Sequence, residues 1–278
     1  MFQFHVLGSG SGGNATFLSF SDSKGQSRHI LIDMGLGPRT SQTRAASLGL
    51  DTDALEAIVL THGDQDHCNP NWQRTLKRRN LPVYLAHAHI PEALAAGVPA
   101  KNIRPLSSTV ELAGALRIRT AVSPHDREGT TALRFEHTLQ PTAPRSLGWL
   151  TDLGRVVPEV EALVAGCDVI AIESNYDHTM QVNSTRPQFL KARIMNGNGH
   201  LSNEQAHEVV LRLAAQETPR AIVLLHLSRE CNCPELLEQL WRERSPELAP
   251  RVHITNQVEP IGPIAVSEAA AEPQTLWA

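Results

Sequence analysis

The chain of 278 residues carries 25 Lys+Arg against 29 Asp+Glu, a net charge of -4, with 41% hydrophobic and 19% charged residues. Those proportions belong to an ordinary globular protein long enough to bury a core, and the mild acidity excludes nucleic-acid binding through a whole-molecule positive field. Six Phe, four Trp and two Tyr are too few for a base-stacking platform, and four Cys exclude a disulfide framework. No apolar run approaches the roughly 18 residues of a membrane span.

The start, MFQFHVLGSGSGGN, has neither the charged nor the apolar region of a signal peptide, so a cytoplasmic protein is expected. Strands are predicted at Phe4–Leu7, Thr16–Phe20, Ile30–Asp33, Ala57–Thr61 and Val83–Ala86, where Leu, Phe and β-branched residues are bounded by Gly, Asn, Asp or Pro. Further strands are predicted at Leu116–Ser123, Thr131–Glu136, Leu147–Thr151, Asp168–Ile172, Ala221–Leu225 and Val252–Thr255. Helical patterns lie between them at Asn71–Arg79, Pro91–Ala96, Pro158–Ala165, Asn203–Gln216 and Pro234–Arg244. The fourth has the clearest start, with Ser202 as N-cap, Gln205 three residues on, and Ala206, Val209, Val210 and Leu213 along one face. No linker or repeat divides the chain. Residues 1–266 therefore read as one α/β (α+β) domain, and the aperiodic tail 267–278 as loose.

Gly8, Gly10 and Gly13 satisfy the dinucleotide pattern G-x-G-x-x-G, which works only where a helix N-terminus follows to hold a pyrophosphate. Here Asn-Ala-Thr-Phe-Leu-Ser-Phe follows and reads as strand, so the glycines make a turn between two strands.

The chemistry is concentrated elsewhere. The apolar run Ala57–Leu60 leads through Thr61 into His62-Gly-Asp64-Gln-Asp66-His67, a loop dense in imidazole and carboxylate. Such ligands suit Zn, Fe or Mn, and side chains diverging from one loop can serve two cations. The placement repeats: His125, Asp152, Glu173 and His226 each stand at or just beyond the C-terminal end of a predicted strand, where α/β proteins build sites. Cys231-Asn-Cys233 is a weaker candidate metal clip, and Lys77-Arg78-Arg79 a weaker candidate for contact with a phosphate backbone. His87, His89, His178 and His207 read as surface residues, and Asp126 as either a partner for an imidazole or a plain exposed carboxylate.

These segments resemble the metallo-β-lactamase-fold hydrolases, and within them the YycJ-type (WalJ) nuclease-like group. The resemblance rests on an ordered set: LGSGSGGN at Leu7–Asn14, LIDMG at Leu31–Gly35, THGDQDH at Thr61–His67, TDLG at Thr151–Gly154, ESNYD at Glu173–Asp177, GHLSN at Gly199–Asn203 and HLSREC at His226–Cys231. It implies a four-layer αββα sandwich with two divalent ions at one edge. His62, Asp64 and His125 would hold one ion, Asp66, His67 and His226 the other, and Asp152 would bridge them together with a hydroxide. Glu173 and His200 are similar to the pair that ribonuclease Z-like members use as proton donor to the departing oxygen, a task suited to a His kept protonated by a carboxylate. Asn175, Ser202, Asn203 and Ser228 fall in matching motifs and are expected at the substrate, the helix after Ser202 offering free backbone N–H groups to a phosphate.

The chain departs from the group in two places. Asp64 stands where the family has a second His, which shifts preference from Zn towards Mn or Fe and is shared with flavodiiron relatives of the fold. After His125 the chain reads Asp-Arg-Glu-Gly rather than Pro-Val-Gly-Tyr. The resemblance implies a metal-dependent phosphodiesterase, most simply a DNA exonuclease with 5′ ends as one mode of attack. The alternatives are a hydrolase of small thioesters, lactones or cyclic phosphates with the same centre, and a non-hydrolytic di-iron protein.

Overall fold

The computed structural model describes residues 1–139 and 145–267. In chain order the first strands are β1 (Phe2–Gly8), β2 (Ala15–Ser21), β3 (Ser27–Ile32), β4 (Leu55–Val59), β5 (Val83–Leu85) and β6 (Ile103–Pro105). There follow β7 (Thr109–Leu112), β8 (Leu116–Ser123), β9 (Thr130–His137), β10 (Arg145–Leu150), β11 (Val169–Glu173), β12 (Ala221–Leu225), β13 (Val252–Ile254) and β14 (Ile261–Ala265). They form two seven-stranded sheets in the orders 14-1-2-3-4-5-6 and 13-12-11-10-9-8-7. The last strand crosses back to the first sheet and pairs antiparallel with β1. The helices are α1 (Pro38–Ser47), α2 (Gln73–Arg79), α3 (Ile90–Ala95), α4 (Pro158–Val164), α5 (His178–Asn183), α6 (Gln188–Met195), α7 (Asn203–Ala214) and α8 (Pro234–Arg244).

Period-two alternation sends successive side chains to opposite faces, and here both faces are covered. Ala57 and Val59 of β4 join Phe4, Leu18 and Ile32 in a core between the sheets, while Ile58 and Leu60 turn outward beneath α1, α2 and α3. The second sheet repeats the pattern: Ala221, Val223 and Leu225 of β12 face inward, Ile222 and Leu224 face α4, α7 and α8. Phe4 of one sheet meets Trp149 of the other edge-on at 5.9 Å, tying the layers together. The result is the expected αββα sandwich, and no helix among the described residues is long and apolar enough to cross a membrane.

Each predicted strand and helix forms, with shifted ends. Missing from the sequence reading are β6, β7, β14, α1, α5 and α6. They carry weak patterns for a physical reason: only Ser41 and Ala45 of α1 and only Ile194 of α6 are buried, and β6 and β14 are edge strands containing proline. Two histidines expected at the surface are buried. His207 is covered by α8, its Nε2 2.9 Å from Ser245 Oγ and its ring 4.8 Å from that of Trp241. His89 packs behind His62, ring centroids 6.3 Å apart. His87 and His178 are exposed. The glycine-rich segment after β1 is indeed a turn, with Gly10 and Gly13 at φ 142° and 128°, and it runs straight into β2. Apart from Ser267, the tail expected to be loose lies outside the described residues.

Candidate metal centre

β3 and β4 run parallel in the first sheet, and β8, β10, β11 and β12 run parallel in the second, so their C-terminal ends share one edge of the sandwich. Three of the residues leaving those ends, Asp33, Asp152 and His226, have φ of 58°, 53° and 54°, in the left-handed region that non-glycine residues adopt at a cost. This turn redirects each chain sharply and brings its side chain over the sheet edge.

The loop after β4 is clamped before it can carry ligands. Asp33 accepts hydrogen bonds from the Thr61 N–H at 2.8 Å, from Thr61 Oγ1 at 3.0 Å and from His67 Nδ1 at 2.8 Å. That last bond assigns the proton of His67 to Nδ1 and turns Nε2 inward, where it lies 2.8 Å from Asp152 Oδ2 and 2.8 Å from Asn14 Nδ2. From the other side, Asn14 N donates to the Asp66 carbonyl at 2.7 Å and Met34 N to the His67 carbonyl at 2.8 Å. Gly35 lies so close beneath this loop that a Cβ there would run into the Asp66 carbonyl. Sequence reasoning quoted Asn14 and Asp33 within motifs but gave them no task. They hold the loop.

Four groups of candidate donors result among the described residues, the donor atoms of each lying within 4.8 Å of one another: His62, Asp64 and His125; Asp66, His67 and His226; His62, His67 and Asp152; and Asp152, Glu173, His200 and His226. His62 Nε2 is buried with no hydrogen-bond partner among the described residues, 3.8 Å from Asp64 Oδ2. An orphaned imidazole nitrogen facing carboxylates and further imidazoles is what a divalent cation satisfies, and so the donor set fits a two-ion centre. His125 is oriented by the Gly199 carbonyl 2.9 Å from its Nδ1. Asp126 instead pairs with Arg193, which donates through Nε at 2.9 Å. The Cys231-Asn-Cys233 clip does not form: Cys231 is buried against Tyr176 and Ile194, and Asn232 bonds to Asn203.

Electrostatics follow from crowding. Burial and the neighbouring His67 push the His62 pKa well below the usual imidazole value. Burial opposes protonation of His67 and His226 as well, but Asp152 beside both overrides it, holding His67 well above its ordinary value and His226 at about 10. Asp152, buried yet flanked by His226 and His67, stays well below the carboxylate range. For Asp64, burial and Asp66 act together and raise the pKa.

On the second-sheet side His200 Nδ1 lies 2.6 Å from Glu173 Oε1, and Glu173 Oε2 accepts from the Leu153 N–H at 2.8 Å. Glu173 is fully buried, and its charge raises the His200 pKa against the effect of burial. His200 lines a cavity of about 460 Å³ together with Asp64, Asp66, Asp152 and His226, with Glu173 buried behind it. Asn175 and Ser228 line it too, Asn175 Nδ2 donating to the His226 carbonyl at 2.8 Å. Ser202 and Asn203 do not. The Ser202 hydroxyl and backbone N–H are both spent on the capping box with Gln205, and Asn203 is buried against Ser174 and Asn232. Arg186, unremarked in the sequence, reaches in from the loop between α5 and α6, donating to Ser228 Oγ at 3.1 Å, Gln181 Oε1 at 3.1 Å and Glu230 at 3.0 Å.

Residues 28–227 match the family described as the beta-lactamase superfamily domain. The chain belongs to the metallo-β-lactamase superfamily. It is 28% identical over 248 residues to the exodeoxyribonuclease WalJ of Streptococcus pneumoniae serotype 2, a match covering 84% of this chain and 85% of that protein. Among solved structures it is similar to a diphosphatase of the PhnP family, with 15% identity, TM-score 0.63 and coverage of 94% and 97%. It is similar also to the short form of human tRNase Z, with 14% identity, TM-score 0.61 and coverage of 95% and 100%. With this fold and these ligand clusters, the superfamily member is a metal-dependent hydrolase.

Proposed function

We propose that the protein is a phosphodiesterase acting on nucleic acid, a DNA exonuclease of the cytoplasm that works from strand ends, 5′ ends among them. The observation that carries this reading is the His200–Glu173 pair, 2.6 Å apart, with His200 at the wall of the metal cavity and Glu173 buried behind it. A hydrolase of activated esters has little use for a strong proton donor, whereas a sugar alkoxide leaving phosphorus needs one. The similarity to an exodeoxyribonuclease supports DNA as the substrate.

On this reading His62, Asp64 and His125 hold one divalent ion, Asp66, His67 and His226 the other, and Asp152 lies between them. Bound there, two such ions supply the Lewis acidity that phosphodiester hydrolysis needs, and the carboxylate at Asp64 favours Mn or Fe over Zn. The protein's own groups do the rest. Glu173 keeps the His200 imidazole protonated and aimed into the cavity, so that its Nε2–H can pass to the departing oxygen. Arg186, braced on Ser228 and Gln181, offers a guanidinium to a non-bridging phosphate oxygen. Asn175 steadies His226 through its carbonyl and its ring.

The test is cleavage of 5′-phosphorylated and unphosphorylated DNA duplexes with Mn, Zn, Mg or Fe, alongside bis(p-nitrophenyl) phosphate, whose leaving group needs no acid. Metal-dependent cleavage of both substrates is expected, and Asp66→Asn should abolish it. His200→Ala should slow DNA cleavage by about 10²–10⁴-fold, the usual contribution of a general acid, while sparing most of the nitrophenyl ester hydrolysis. Equal losses on both substrates would overturn the proton-donor role. Absence of any metal-dependent DNA cleavage would leave a small-molecule hydrolase, and iron with redox activity but no hydrolysis would leave the di-iron alternative.

A further inference from the structure

Several arginines of this chain have an acidic partner. Arg28 pairs with Asp22 and Glu56, Arg117 with Glu111, Arg212 with Glu161 and Arg242 with Glu238. Exposed arginines without one among the described residues include Arg39, Arg74 and Arg78. All three line one cleft of about 730 Å³ between α1 and α2, larger than the metal cavity. The carboxylate of the lining, Asp53, faces Arg79, so in a chain of net charge -4 three further guanidinium groups lining one concave surface make an anion site.

The walls indicate which anion. Arg79, next along α2, is consumed by the fold: its guanidinium donates to the carbonyls of Thr52 at 2.8 Å and Leu55 at 2.7 Å and lies 3.7 Å from Asp53. Arg74 and Arg78 are four residues apart on one helix, so their Cβ atoms are about 6 Å apart on the same face, and Arg39 projects from the opposite wall. Uncharged donors, Thr40, Thr75 and Asn71, lie between them. Trp72, the aromatic of the lining, is buried at 2% exposure with its Nε1 bonded to the Leu36 carbonyl, so it offers no face to a base. Such a surface reads phosphates and not bases. The seven residues of α2 rise about 10 Å, room for about three successive phosphates at roughly 3.4 Å per nucleotide along a duplex strand.

The cleft also starts at the catalytic edge. Gly37, in its lining, comes two residues after Gly35, whose carbonyl accepts from Asn69 Nδ2 at 3.0 Å and whose Cα lies beneath the Asp66 carbonyl. We propose that this cleft is the track along which the nucleic-acid backbone lies as its end enters the metal cavity, held by Arg39, Arg74 and Arg78 independently of sequence. The proposal rests on the phosphodiesterase reading above and extends it to the part of the strand that is not being cut.

The experiment compares the metal-loaded enzyme with the triple variant Arg39→Gln, Arg74→Gln, Arg78→Gln. KM and kcat for a DNA duplex are measured across a salt series, and bis(p-nitrophenyl) phosphate hydrolysis serves as the basal reaction. Each phosphate contact removed should lower the log–log salt slope by about one unit, so the variant should lose about three units. Its KM for DNA at low salt should rise tenfold or more, with kcat and nitrophenyl ester turnover unchanged. If the triple variant fails to fold, single variants should each lose about one unit of slope, and Arg74→Lys, which keeps the charge, should lose none. An unchanged salt slope with DNA still cleaved would overturn the track and leave the phosphodiesterase reading standing. Competition by a mononucleotide as effective as that by the oligonucleotide would make the cleft a small-anion site and overturn it equally. Failure to hydrolyse either substrate would instead refute the phosphodiesterase reading itself.

Discussion

Asp33 has no place in the candidate ligand sets, yet it holds two parts of the loop that carries them. Through Thr61 it fixes the end of β4, and through His67 Nδ1 it fixes a ring and its tautomer. Partners of this kind contribute about 10–100-fold to metal affinity. Asp33→Ala should therefore weaken binding by that factor, read by competition with a chromophoric chelator, while the circular dichroism spectrum stays native. Unchanged affinity would show that the loop holds His67 without it. The proposed ligand positions were legible in the sequence as candidates because each follows an apolar run closely, so that strand direction alone sends them to one edge. Asp33 was legible as part of a motif but not as a clamp, because the bonds it makes join segments 28 and 34 residues apart. Arg186 was legible in neither way, since the short helices flanking it bury too little to show a period.

At the scale of elements, α7 illustrates how one local signal serves two claims. Ser202 and Gln205 form the reciprocal capping box that their spacing predicts. Because both polar groups of Ser202 are engaged there, a role at the substrate and a role in the helix can be separated. Ser202→Ala should cost about 1 kcal/mol and lower Tm by about 2–4 °C, with KM for DNA unaltered. A raised KM without a change in Tm would return Ser202 to the substrate. The loop after β4 makes the complementary case. At Gly35 even a methyl group collides with backbone, so Gly35→Ala should displace Asp66 and His67 and lower metal affinity more than it lowers Tm. Strands and long amphipathic helices were readable because burial on fixed faces leaves a period. The edge strands and the α5–α6 hairpin were not, because their stability comes from what they lie against.

Across the whole molecule, the proposed ligands come from both sheets, His62 to His67 from the first and His125, Asp152 and His226 from the second. Metal binding therefore couples the halves. It also competes with protons, and the signs differ. After chelation, His67 and His226 are protonated and paired with Asp152. Their folded pKa values lie above the unfolded value of 6.5, so this stabilisation is complete below 6.5 and fades as pH rises towards about 10, where His226 titrates. Loading reverses the trend, because each ligating imidazole must first release its proton. Thermal melts across pH should show Tm of the chelated protein falling above neutrality while the gain on adding Mn grows. A gain independent of pH would contradict that linkage. His207, remote from the centre, acts the other way: burial lowers its pKa, so its contribution is intact above 6.5 and declines on acidification below it.

The crossing of β14 back to β1 has a consequence for biosynthesis. A nascent chain that has emerged through β6 already carries His62, Asp64, Asp66 and His67, but the edge of β1 stays open until residues 261–265 leave the ribosome. The second proposed ion lacks its full ligand set until His226 appears. Translation thus presents a half-built sandwich with a bare strand edge and partial chelating sites, and loading of the whole two-ion centre waits until β12 and His226 have been made.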